Sequence, residues 1–113
     1  MKENVKNKNA VLPAGITEEN IAMWKARFRK VSSITVVDGE VSYTGFFRRP
    51  DMNVISAVAA VGKDDEMRAA MVMFENCWLS GDEMMREDAV IKMAAVTKLQ
   101  ELMKVSQVTL KNW

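Results

Sequence analysis

Histidine does not occur in this chain. Its absence removes the commonest general base, the partner of Ser-His and Cys-His nucleophiles, and the commonest zinc ligand. Cysteine occurs once, at Cys77. One thiol closes no intramolecular disulfide, and alone it cannot supply the four ligands of a structural zinc site. Glycine and proline are sparse, at five and two residues, and the glycines stand singly, so there is no glycine-rich phosphate loop. No apolar run approaches the roughly 18–20 residues that span a bilayer. The polar stretch Met1 to Asn9 has no signal-peptide core behind it. These absences, with a thiol usage that fits a reducing compartment, point to a cytoplasmic protein with no catalytic centre, no metal and no cofactor.

What is present is an ordinary globular composition, 49% apolar and 27% charged, over 113 residues. That length fits one domain with a real core. The formal net charge of +1 creates no global field toward nucleic acid. Its distribution is less even. Residues 1–30 hold seven Lys/Arg against three Glu, a local +4, and residues 63–88 hold three Lys/Arg against eight Asp/Glu, a local −5. Such asymmetry can guide partner choice or head-to-tail association, and it also describes many solvated faces.

Residues 1–15 read as a flexible N-terminal arm ending in Pro13 and Gly15, and residues 16–113 as a single α+β domain. Thr17 is placed to cap a helix whose apolar stripe is Ile21, Trp24, Phe28 and Val31. A hairpin over Ser33–Phe47 turns at Asp38-Gly39, pairing Val36 with Val41, Ile34 with Tyr43 and Thr35 with Ser42. Asp51 caps an apolar second helix that Gly62 stops. Asp64 opens a third, with Met67, Ala70, Met71, Phe74 and Trp78 inward, and Ser80-Gly81-Asp82 breaks it. Asp88 opens a fourth, with Ile91, Ala94, Ala95, Leu99, Leu102 and Met103 inward. The architecture implied is an N-terminal helix, a two-stranded β-hairpin, then three helices packed against one face of it.

Candidate chemistry is thin. Cys77 lies between Phe74 and Trp78 on a face read as buried, which suits a core cysteine better than an activated nucleophile. The clusters Asp64-Asp65-Glu66, Asp82-Glu83 and Glu87-Asp88 lack the ligand spacing of a calcium loop and are explained by helix starts. Ten methionines are many for this length. Met67, Met71, Met73, Met84 and Met85 either fill gaps in a small core or line an adaptable groove for a partner helix. Met73, Met84 and Met85 fall off the main stripes and are the candidate contact residues. The basic candidates are Lys25, Arg29 and Lys30 at the end of the first helix, with Arg27 beside them, and Arg48 and Arg49 after the hairpin. Self-association is a further possibility.

The stretch Phe46-Phe47-Arg48-Arg49-Pro50-Asp51, then an Ala/Val-rich helix, then Glu75-Asn76-Cys77-Trp78-Leu79-Ser80-Gly81-Asp82-Glu83, resembles small proteins of bacteriophage and prophage tail modules. The similarity is to the tail assembly chaperone-like group and covers about residues 17–104. It implies a small intracellular protein, in the bacterial or host cytoplasm, that binds the tape measure or tube components and keeps long hydrophobic segments from aggregating before the tube polymerises. The expectation is thus a non-enzymatic protein-binding domain without cofactor or membrane partner. The alternative is a small nucleic-acid-binding regulator using the basic end of the first helix and Arg48/Arg49.

Overall fold

The computed structural model describes residues 15–103 and 108–113. The arm expected at 1–15 lies outside them except for Gly15. Helix α1 is Glu18–Phe28, and Thr17 caps it. The Thr17 hydroxyl accepts from the Asn20 amide at 3.2 Å, while the Asn20 side-chain oxygen accepts from the Thr17 amide at 3.0 Å. This is a capping box with Asn in the place usually held by Glu or Gln. Ile21, Trp24 and Phe28 form the half-buried stripe, and no residue of α1 is fully buried.

The hairpin consists of β1 (Val31–Asp38) and β2 (Val41–Arg48). Its loop is Gly39-Glu40 rather than Asp38-Gly39. Gly39 has φ 67° and is the first loop residue, the position that a type II′ turn reserves for glycine. Val36 therefore pairs with Tyr43, Ile34 with Gly45 and Thr35 with Thr44, two residues further along β2 than the sequence reading places them. A shift of two preserves the faces, because side chains alternate with period two. Ile34, Val36 and Tyr43 keep their common apolar side. On the other side the buried Thr44 shares a 2.8 Å hydrogen bond with the Thr35 hydroxyl.

Three helices follow as expected, with adjusted ends. Asp51 caps α2 (Met52–Gly62), Asp65 rather than Asp64 caps α3 (Glu66–Cys77), and Asp88 caps α5 (Ala89–Leu99). A single turn, α4 (Met84–Glu87), precedes α5, and a 3-10 turn, Gln100–Met103, follows it. The buried residues of α3 are Ala69, Met73, Phe74 and Cys77, while Met67 is 57% exposed. The inward stripe is thus rotated from the one read in the sequence.

Two larger differences concern the sheet. Trp78 does not belong to α3. It begins β3 (Trp78–Gly81), a third strand that pairs antiparallel with β2 through Gly45–Gly81, Phe46–Ser80 and Phe47–Trp78. The strand order is β1-β2-β3. The second difference is the position of α1. Its Trp24 packs on Phe46 at 5.9 Å, whereas Phe47, the next residue on β2, points into the core with Phe74. Consecutive strand residues face opposite ways, so α1 covers the face away from the other helices.

The core unites Phe47, Phe74, Cys77, Met85 and Leu99, all fully buried, with Val54, Ile91, Ala95 and Val96. Gly81 is required where it stands. A Cβ there would lie 2.5 Å from the Thr44 carbonyl oxygen and 2.6 Å from the Gly45 Cα, both backbone atoms of β2. Gly81→Ala should therefore cost roughly 2–3 kcal/mol, the usual penalty for forced overpacking. Urea denaturation of the variant measures this, and an unchanged midpoint would show that β3 does not hold to β2.

Candidate functional site

Three of the basic candidates meet where α1 turns into β1 and β2 ends. Lys25 and Arg27 lie in the last turn of α1. Arg29 then reverses the chain with φ 72° and ψ −46°, and the Lys30 amide donates to the Phe28 carbonyl at 2.8 Å. That bond across two residues closes a γ-turn with positive φ, a strained conformation for any residue but glycine. The Arg49 amide donates to the Lys30 carbonyl at 3.3 Å, tying the exit of β2 to this turn. Between them lies a depression of about 480 Å³ lined by Phe28, Arg29, Lys30, Arg49, Pro50 and Asp51.

The five basic candidates do not share one role. Arg29, Lys30 and Arg49 are exposed around this depression. Arg48 is spent on the fold, which corrects its reading as a contact residue. Its Nη1 pairs with Asp51 at 3.2 Å, its Nε donates to the Asn76 carbonyl at 3.0 Å, and its guanidinium lies 5.3 Å from the Phe28 ring centre. Arg27 approaches the same ring at 5.2 Å. The Val54 amide and then Arg48 hold the Asp51 carboxyl below the usual aspartate range. Lys25 lies elsewhere, along a second depression with Glu18, Ile21 and Ala22.

The methionine reading also divides. Met73 is 2% exposed and Met85 not at all, whereas Met84 is 41% exposed. Met85 is a core residue that cannot reach a partner without opening the domain, and Met73 shows only an edge to the depression beside α2, a correction to their candidate role. The physical reason is the rotated inward stripe of α3 and the fit of Met85 over Gly45. Cys77 is fully buried, and burial pushes its thiol up to about 11, so it is not a thiolate near neutral pH. Among the described residues no group of three acidic or thiol side chains is arranged to hold a metal ion. Asp82 instead closes the sheet, accepting from the Thr44 amide at 2.8 Å and donating its own amide to the Thr44 carbonyl.

The surface that sequence reasoning missed is α2. It carries no charged residue, and its single buried side chain is Val54. Met52, Ala57, Ala59 and Ala60 are exposed, and the helix packs chiefly on α3. Beside it runs a depression of about 670 Å³, lined by Val58, Ala59, Ala69, Ala70 and Met73 together with the polar Lys63, Glu66 and Gln100. An apolar helix is ordinarily expected to be buried all round. The available signal was its alanine content, because small side chains leave little to anchor in a core.

The segments Phe46–Asp51 and Glu75–Glu83 meet in space. Phe47 packs edge-on against Phe74 and Trp78 at 5.4 and 5.5 Å, and Phe74 stacks on Trp78 at 5.6 Å. Arg48 binds the Asn76 carbonyl in the same neighbourhood. These motifs build the centre of the fold, and their side chains form no open site. Comparison with protein-family models and with curated proteins matches none. Among solved structures the chain is similar to the uncharacterised protein rbstp2171 from Bacillus stearothermophilus, with a TM-score of 0.54 and 18% identity over 82% of this chain and 100% of that one. That likeness establishes the fold. No helix among the described residues is long and apolar enough to cross a membrane.

The aromatic centre is braced by charge. Glu75 accepts from Lys92 Nζ at 3.0 Å and from Arg86 at 3.4 Å, while Lys92 lies over Phe74 and Arg86 over Trp78. The hydrogen bond from Lys92 is the main reason that the Glu75 carboxyl is held below its ordinary 4.5. A carboxyl that ionises more readily folded than unfolded stabilises the fold at neutral pH, and this is lost as pH falls through the folded value. Glu75→Gln should melt roughly 1–3 °C below the parent at pH 7, a modest shift because the pair is half exposed. The two curves should converge well below pH 4.5. Calorimetry across pH checks this, and a gap that persists in acid would reject the ion-pair account.

Proposed function

We propose that this chain is a non-enzymatic protein-binding domain of the phage or prophage tail-assembly kind, a chaperone-like or tail-module protein acting in the cytoplasm. The observation that carries the reading is α2, an uncharged helix that leaves most of its length exposed beside a depression with an apolar floor and Lys63, Glu66 and Gln100 at its margin. An exposed apolar surface of this kind marks an interaction site more often than a resting monomer face. A partner helix from a tape-measure or tube component can lay its apolar stripe along α2 and α3 without stripping water from any charge on α2. Met52 and Met67, 72% and 57% exposed, bring flexible, polarizable side chains that accommodate varied sequences.

The test is co-expression with the tape-measure and tube proteins of a phage tail module, followed by affinity purification. The parent should retain one of them. Ala60→Glu, on the exposed side of α2, should weaken retention by roughly tenfold or more by placing a charge in an apolar contact. Its far-ultraviolet spectrum should be unchanged. A parent that binds no tail component would sink the proposal.

A second reading, a small nucleic-acid-binding regulator, is favoured by the convergence of Arg29, Lys30 and Arg49 around one depression. Its signature is duplex DNA binding that weakens steeply with salt. Replacing Arg29 and Arg49 by Ala should lower the salt slope by about two. No binding at low salt removes this reading.

A further inference from the structure

The strand order β1-β2-β3 leaves β1 at an edge, eight residues long. Its free side can be identified from its neighbour. The Thr44 amide and carbonyl both bond to Asp82, on the β3 side of β2. Thr35 lies directly opposite Thr44, so its backbone groups point the other way, out of the sheet. The same parity applies to Ser33 and Val37. No backbone hydrogen bond from these groups to another described element occurs. Along this edge runs a groove of about 390 Å³ between β1 and the end of α5, lined by Ser32, Ser33, Ile34, Thr35 and Leu102, with Lys98 and Glu101 paired at 3.5 Å across it. An open edge with an apolar trough beside it is a template for one more strand.

The same chain holds a segment suited to that place. Residues 108–113 are all exposed and pair with no strand. Val108, Leu110 and Trp113 are 82%, 86% and fully exposed, a concentration of apolar surface that a lone monomer would leave in water. Val108 and Leu110 alternate with Thr109 and Lys111, the period-two pattern of a strand with one face on a core. Docked on β1, Val108 and Leu110 would continue the face of Ile34 and Val36 over Leu102. Thr109 and Lys111 would continue the polar face of Ser33 and Thr35.

We propose that segment 108–113 of one copy adds as a fourth strand to the free edge of β1 of a second copy, the reciprocal exchange giving a two-fold dimer. The occupant is a second copy because the segment stands clear of its own groove, every one of its residues exposed. Reciprocity satisfies both edges at once and closes the assembly, as an isologous interface must. The proposal is independent of the α2 surface and of any tail partner.

Sedimentation equilibrium of the full chain tests it. The parent should sediment at twice the 12.7 kDa chain mass. Leu110→Asp, at a side chain 86% exposed, should raise the dissociation constant by roughly tenfold or more, and Ser33→Pro should do the same by removing an outward amide from the edge. An equimolar mixture of the two variants should recover partial association, because one intact segment then meets one intact edge. A monomeric parent overturns the proposal, including one whose segment folds onto its own β1. So does a dimer that survives either substitution.

Discussion

The close approach of β2 and β3 is the constraint on which the rest of the domain depends. Gly45 and Gly81 face each other as strand partners, and neither has room for a Cβ. Above Gly45 sit the Trp78 ring and the Met85 sulfur, each within 2.7 Å of where a Cβ would be. That opening lets Trp78 lie flat on Phe74 while Phe47 meets both edge-on. Each such aromatic pair adds about 0.5–1.5 kcal/mol beyond its buried area. With the three rings in place, α3, α5 and the sheet share one interior, and Cys77 is sealed within it.

The polar groups around this centre are assigned to it as well. Arg48 joins the end of β2 to the cap of α2 and the last turn of α3, and Asp82 closes β3 on Thr44. Glu75, Lys92 and Arg86 brace the rings from outside. Side chains so engaged are poorly suited to recognition, since a partner would have to break existing contacts. The surfaces left over are therefore the exposed cations Arg29, Lys30 and Arg49, the uncharged back of α2, and the open edge of β1. Different physics governs each: long-range charge at the first, apolar area at the second, backbone hydrogen bonding at the third.

Much of the α+β architecture was legible where a local rule suffices. Thr17, Asp51 and Asp88 act as caps because a short side-chain oxygen satisfies free amides within its own turn. The apolar side of the hairpin was legible although its loop was misplaced by one residue, because a two-residue change in pairing leaves the alternation intact. β3 was not legible. Trp78-Leu79-Ser80-Gly81 is shorter than a strand signal, and Gly81 reads as a helix stop when its contact with β2 is unknown. The same limit applied to Met73, whose burial depends on which way α3 is turned against the sheet, and to Met85, whose burial depends on the α4 turn seating it over Gly45. It applied also to Arg48, whose partners are contributed by α2 and α3.

By itself, the sequence determined the starts of α1, α2 and α5, the existence of the hairpin and the lack of histidine or a second cysteine, since each depends on residue identity or near neighbours. The tertiary structure alone decided that α1 covers the opposite face of the sheet, that a third strand forms, that α2 lies outside and that the cations divide between fold and surface. Those outcomes depend on contacts between residues far apart in the chain. Such contacts are set by the fit of side chains in space, and the Gly45–Gly81 approach fixes that fit here.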